Sequence, residues 1–227
     1  MKDQYFGDAR DYLKYQLLEE LMMTCAPSVR QLVCVWMLTA SDPSGYGNVP
    51  FDDDGRSLAL AAFLRRHRDP NDRRVRHLRE YFSERGIAYV PWGDAPPYFT
   101  NQHRGDYFRR IPTDTLMNAV VFFDPDIGVT TKRPSKAHLS VDELVGVWER
   151  MGDSSITVVY QHRDRQPGFP APRAQELRDA LAAPVGWVAD RDIALYLAAK
   201  SAAAVPTADA VLAAIGSSGR RKFARIA

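Results

Sequence analysis

Three runs of the chain are apolar at nearly every position: Gln31–Thr39 (QLVCVWMLT), Ala119–Asp124 (AVVFFD) and Ser155–Tyr160 (SITVVY). They lack the in-out alternation of a half-solvated strand and suit strands covered on both faces. Between them the spacing becomes helical. Leu13, Leu17, Leu18, Leu21 and Met22 form a stripe within Asp11–Met23 that predicts an amphipathic helix ending before Pro27. Leu58, Leu60, Phe63 and Leu64, then Val75, Leu78, Tyr81 and Phe82, predict helix within 56–85, interrupted at Asp69-Pro70-Asn71 and closed by Gly86. Ile87–Pro91 reads as a short strand, Ser140–Met151 and Ala171–Ala182 as helices, Gly186–Ala189 as a strand, and Ile193–Ala199 suits either state.

Helices alternating with uniformly apolar strands predict a three-layer, Rossmann-like α/β fold with a mostly parallel sheet. Residues 1–227 are expected to form one domain, with a helical and loop insertion at 55–115 and a basic tail at 216–227. In such a sheet ligands gather at the carboxyl ends of the strands. Polar turns stand at those ends: Ser41-Asp42-Pro43-Ser44-Gly45-Tyr46-Gly47, Asp124-Pro125-Asp126-Ile127-Gly128 and Gln161-His162-Arg163-Asp164. The expectation is that the three turns open on one cavity.

Composition changes this picture little. The 227 residues are 45% hydrophobic and 26% charged, enough to bury a core without a metal or disulfide staple. Cys25 and Cys34 are expected to act as small buried hydrophobes. The start, MKDQYFGDAR, is polar and no apolar run approaches the ~18 residues of a membrane span, so a cytoplasmic location is expected. Lys plus Arg (30) nearly balance Asp plus Glu (28), so a nucleic-acid partner must be argued from distribution. Arginines cluster at Arg65, Arg66, Arg68, Arg73, Arg74, Arg76 and Arg79, and basic residues again at Arg220, Arg221, Lys222 and Arg225. A solvated helix face and a phosphate-tracking surface both have this pattern. Residues 98–110 interleave Tyr98, Phe99, Tyr107 and Phe108 with His103, Arg104, Arg109 and Arg110, a mixture that suits base stacking and also a loop packed over a core.

Asp124 and Asp126 are the sharpest candidates. Two carboxylates at a strand mouth hold a divalent cation, divide acid and base roles, or orient an amine; Asp-Pro-Asp is also turn chemistry, with Gly128 supplying a positive φ. Gly45 and Gly47 would let the backbone approach a ligand, but no G-x-x-x-x-G-K-[ST] loop exists and nucleoside triphosphate chemistry is disfavoured. For His162, a catalytic base, a metal ligand and a structural histidine are all open. His67, His77, His103 and His138 lack metal-ligand spacing, and no zinc site is expected. Asp8 or Asp11 is placed to cap a helix, and Lys14, three positions on, to reach the same sheet edge.

The opening Gly7-Asp8-Ala9-Arg10-Asp11-Tyr12-Leu13-Lys14-Tyr15 resembles the Gly-Asn-x-x-Asp-x-x-Lys-His opening of the short bacterial 23S ribosomal RNA adenine-N6 methyltransferases, class I enzymes that use S-adenosylmethionine. Gly7, Asp11 and Lys14 match that opening, and Gly45 and Gly47 roughly match the loop after the first strand. Asp124-Pro125 matches the first half of the family's Asp-Pro-Pro-aromatic tetrad, which grips the target amine. Asp126 stands for the second proline and Ile127 for the aromatic ring, so a negative charge replaces a stacking partner. The chain also resembles a group of bacterial proteins that share this opening and the Phe-Asp-Pro-Asp strand end.

The resemblance implies a methyltransferase-like protein acting on a nucleobase or other amine. It would bind S-adenosylmethionine near Gly7, Asp11, Lys14, Asp42, Gly45 and Gly47, with Asp124, Asp126 and His162 catalytic and no metal. An alternative gathers Mg²⁺ between Asp42, Asp124, Asp126 and His162 for a nuclease or phosphohydrolase reaction. A third is a non-catalytic protein holding nucleic acid through Arg65, Arg66, Arg73, Arg74, Arg76, Arg109 and Arg110.

Overall fold

The computed structural model describes residues 1–26, 28–42, 50–51, 57–130, 132–164, 167–217 and 221–226. The apolar runs form the middle of a seven-stranded sheet. Strands β1 (Gln31–Trp36), β2 (Tyr89–Trp92), β3 (Ala119–Asp124) and β6 (Ile156–His162) run parallel in the order β2-β1-β3-β6. β8 (Ile193–Ala199) then runs antiparallel between β6 and β7 (Val185–Ala189), and β9 (Lys222–Ala224) closes the far edge antiparallel to β7. A separate parallel pair joins β4 (Gly128–Thr130) to β5 (His138–Ser140).

Helices α1 (Ala9–Cys25), α2 (Leu58–Arg66), α3 (Leu78–Glu84) and α7 (Val205–Gly216) cover one face of the sheet, and α4 (Arg104–Arg109), α5 (Val141–Trp148) and α6 (Ala171–Leu181) the other. Leu32, Cys34 and Trp36 of β1 enter the first core, and Val33 and Val35 the second. Successive strand residues point to opposite faces and both faces are covered, so the strands are apolar throughout. The expected three-layer, mostly parallel α/β fold is the observed one. Cys25 and Cys34 are free and buried.

One expectation needs correction, and two segments take places in the sheet. α1 is not amphipathic: Asp11, Lys14, Gln16 and Glu19 are buried along with its leucines. Glu19, for example, accepts hydrogen bonds from the Ser57 hydroxyl (2.8 Å) and the Tyr81 hydroxyl (3.0 Å) and pairs with Arg85 at 2.6 Å. Segment 55–115 is no appendage, since it supplies β2 to the main sheet. The basic tail contributes an edge strand, and Arg221 donates to the Gln16 side chain at 3.1 Å. Among the described residues no helix is long and apolar enough to cross a membrane.

From β1 the chain crosses to β2 on one side and then to β3 on the other. The strand order therefore reverses between β1 and β3, and a crevice is expected outside their carboxyl ends.

Candidate functional site

The N-terminal turn of α1 points into this switch point. Gly7, at φ +86°, reverses the chain and donates its N–H to Asp11 Oδ2 at 3.0 Å. Asp8 is the N-cap, its Oδ1 accepting from the N–H groups of Arg10 (2.9 Å) and Asp11 (3.0 Å). One turn along, Lys14 Nζ lies 3.0 Å from Asp11 Oδ1, 3.1 Å from Asp124 Oδ2 at the end of β3, and 4.2 Å from the centre of the Tyr160 ring. Asp124 is fully buried, and its second oxygen, Oδ1, has no hydrogen-bond partner among the described residues. Burial alone would strip the Lys14 ammonium of its proton, but Asp11 and Asp124 outweigh it and hold its pKa above the ordinary lysine value. Burial raises the Asp124 carboxyl, and Lys14 opposes the shift.

The N-terminal segment fills the crevice. The Met1 amine lies 3.3 Å from the Met37 carbonyl beyond β1 and 3.7 Å from Asp126, while the Met1 carbonyl accepts from the Thr39 N–H at 2.9 Å. Lys2 pairs with Asp42 at 2.6 Å and Asp126 at 3.5 Å, and Gln4 accepts from the Asp42 N–H at 2.7 Å. Asp42 and Asp126 thus form a rim tied down by this strap. Beneath it remains a cavity of about 20 Å³, lined among others by Arg10, Lys14, Asp124 and His162. That is room for one water, whereas small-molecule sites run to roughly 300–1,000 Å³. With residues 1–6 in place, the described crevice does not fit S-adenosylmethionine. Gly45 and Gly47 lie outside the described residues.

His162, at the end of β6, completes the pocket wall. Burial depresses its pKa to about 4, with the charges of Arg10 and Lys14 adding to the effect, so it is neutral at pH 7. Burial pushes Asp8 the other way, to about 7, with the Asp11 charge adding to the shift. The two groups oppose each other as pH changes. A raised acid costs stability as pH rises from 3.8 towards 7; a lowered base costs stability as pH falls from 6.5 towards 4. His162→Gln removes the second contribution alone. Wild type is therefore expected to lose about 2 kcal/mol relative to this variant between roughly pH 7.5 and 4.5, read by urea unfolding at each pH. An unchanged difference would show that His162 is not held neutral.

Sequence reasoning brought Gly7, Asp11, Lys14, Asp124, Asp126 and His162 to one place, with Asp42 on the rim. It missed Tyr160 and Gln161. Tyr160 lies two positions before His162 on the same strand, so period-two alternation puts both on one face, with rings 5.3 Å apart. Gln161 points the other way, accepting from the Val129 N–H at 2.8 Å and donating to the His162 carbonyl at 2.9 Å. It ties the Asp-Pro-Asp-Ile-Gly turn to β6.

The expected Mg²⁺ ligands are already engaged: ammonium groups face Asp42, Asp124 and Asp126. Among the described residues, the grouping whose donor atoms approach closely enough to share an ion is His67, Asp72 and His77, which the sequence spacing did not reveal.

The arginines do not form one surface. Arg73 is buried, its guanidinium donating to the carbonyls of Gln4 (2.7 Å) and Arg68 (3.0 Å), so it holds loop to strap rather than facing a partner. Arg65 and Arg66 lie on α2, over the Phe51 and Phe63 rings. Arg74 and Arg76 follow in the loop before α3. Arg109, paired with Asp106, and Arg110 belong to α4 on the opposite face of the sheet. Arg110 borders a second cavity of about 380 Å³ with Trp92, Tyr98, Phe99, His103 and Tyr107. It too lies at the carboxyl edge: the Phe99 N–H donates to Leu38 just beyond β1, and the Tyr107 hydroxyl to the Trp36 carbonyl at 2.6 Å.

Comparison with protein-family models, curated proteins and solved structures returned no match. The chemistry the site can perform therefore rests on its own geometry. It offers a buried acceptor oxygen on an ion-paired carboxylate and a neutral imidazole beneath a cover formed by the N-terminal segment.

Proposed function

We propose that the chain is a methyltransferase-like enzyme that binds S-adenosylmethionine or a related nucleoside at the β1–β3 switch point and modifies an amine of a nucleobase in a nucleic acid. One observation carries this reading: Asp124 Oδ1 is buried and without a partner at the position where an open α/β sheet places its ligands. Residues 1–6 close the crevice, so binding requires the strap to lift. The bound nucleoside would supply the electrophilic methyl group.

The chain's own residues do the rest. Lys14 opposes the rise that burial imposes on the Asp124 carboxyl and fixes its orientation, leaving Oδ1 to accept an amine N–H. His162, neutral at pH 7, offers a nitrogen to take the proton that the amine sheds, with Asp126 beside it. Ile127 provides no stacking ring, but the aromatic cavity bordered by Trp92, Tyr98 and Tyr107 is large enough for a base, with Arg110 at its rim for phosphate.

The side chains of Lys2 and Gln4 are the strap's ties to Asp42 on the rim, beside the backbone and buried contacts of Met1, Asp3 and Phe6, so Lys2→Ala/Gln4→Ala is expected to strengthen S-adenosylmethionine binding by roughly 5–10-fold over wild type, in line with loss of about 1 kcal/mol of closing contacts. Calorimetric titration measures this. No heat from either protein at millimolar ligand would overturn the reading.

A further inference from the structure

We propose that His67, Asp72 and His77 form a binding site for a divalent transition-metal ion of the zinc type. His67 is the residue that closes α2, and His77 ends the 3-10 turn Val75–His77 that leads into α3. Nine residues lie between them, yet they meet. Their rings stack with centroids 4.1 Å apart at 18°, and both turn a nitrogen to Asp72: His67 Nδ1 lies 2.7 Å from Oδ2, and His77 Nε2 lies 2.8 Å from the Asp72 carbonyl and 3.2 Å from Oδ1. One donor atom from each of the three residues lies within 4.8 Å of the others. Around a zinc ion, with bonds near 2.0–2.1 Å, neighbouring donors stand roughly 3.3 Å apart. The Asp72 contacts are already that short, so the adjustment an ion requires falls on the two stacked imidazoles, which must rotate to aim both nitrogens at one point.

The surroundings hold the two imidazoles in place. His67 is buried against the Phe63 ring, 4.9 Å between centroids, which keeps Nδ1 facing the cluster. Val75 and Leu78 are fully buried on either side of His77. Arg73 pins the intervening loop through its bonds to the Gln4 and Arg68 carbonyls. Three ligand side chains are thus gathered at element ends before an ion arrives, with ring rotation the remaining adjustment. Two imidazole nitrogens and one carboxylate select zinc, cobalt or nickel over Mg²⁺ or Ca²⁺, which take oxygen ligands. Three protein ligands leave a fourth position towards solvent. This site lies apart from the Asp124 cavity and stands or falls independently of the proposed reaction.

The full chain, stripped with chelator, is titrated with Co²⁺ while visible d–d absorption is followed, and with Zn²⁺ in competition. The expected result is one tetrahedral-type cobalt spectrum at a 1:1 ratio, displaced by Zn²⁺. At a hundredfold excess over Kd, Zn²⁺ should raise the melting temperature by about 5–10 °C. Asp72→Asn and His77→Gln should each weaken binding at least tenfold, while His138→Gln leaves it unchanged. Absence of the spectrum and of the melting shift at millimolar metal would overturn the proposal, as would equal affinity in the Asp72 and His77 variants.

Discussion

Replacement of Lys14 by methionine is expected to lower the unfolding free energy by about 3–5 kcal/mol, the usual cost of removing one partner from a buried ion pair. For a domain of this size the melting temperature would fall by roughly 6–20 °C. The loss comes from what is left behind. Asp124 has no exposed surface and Oδ1 already lacks a partner, so without Lys14 at 3.1 Å neither oxygen has a hydrogen-bond partner among the described residues, and the Met1 amine is left to offset the charge. Asp11 loses its 3.0 Å contact as well and keeps the Gly7 N–H. A double-mutant cycle separates charge from packing. Lys14→Met with Asp124→Asn removes both charges, and recovery of about 2 kcal/mol or more over the single variant is expected. A single-variant cost below about 1 kcal/mol would mean that the pair is solvated and that the crevice is not the closed site described above.

Gly128→Ala is expected to cost about 2–4 kcal/mol, measured by urea unfolding, with no shift in the denaturant slope. The residue sits at φ +142°, where an L side chain is strained, and a Cβ there would lie 2.3 Å from Gln161 Oε1. Gln161 is 2% exposed and cannot swing aside without breaking its bonds to the Val129 N–H and the His162 carbonyl. The turn bearing Asp126 would lose the Gln161 side-chain tie to β6 and keep the His162 N–H to Ile127 carbonyl bond at 2.7 Å. Gln161→Ala made in the Gly128→Ala background should recover part of the loss by removing the clash. No recovery would place the cost in the backbone conformation alone.

Much of this site was legible because its determinants are local. The uniformly apolar runs announced strands buried on both faces, and a parallel arrangement of such strands dictates where their polar turns meet. Asp11 and Lys14 are three positions apart on one helix, just after the Gly7 turn, so their shared direction follows from helical periodicity. What escaped was long-range. Nothing in the stripe of leucines tells that α1 is buried throughout Asp11–Glu19, because Glu19 and Gln16 find their partners, Tyr81 and Arg221, far along the chain. The strap was equally hidden: Lys2 and Gln4 read as surface residues until Asp42 and Asp126 are brought beside them. Arg73 belonged by sequence to a basic cluster and by structure to the loop's internal bonding. His67 and His77 meet only because the chain doubles back between α2 and α3.

Amide shift mapping by NMR, with S-adenosylmethionine added to the full chain, tests most directly whether the β1–β3 switch point is the ligand site. The account predicts that the largest changes fall on Gly7, Asp11, Lys14, Thr39 and Asp126, together with Lys2 and Gln4 as the strap lifts. Changes confined to the aromatic cavity around Trp92 and Tyr107, or none at millimolar ligand, would contradict it.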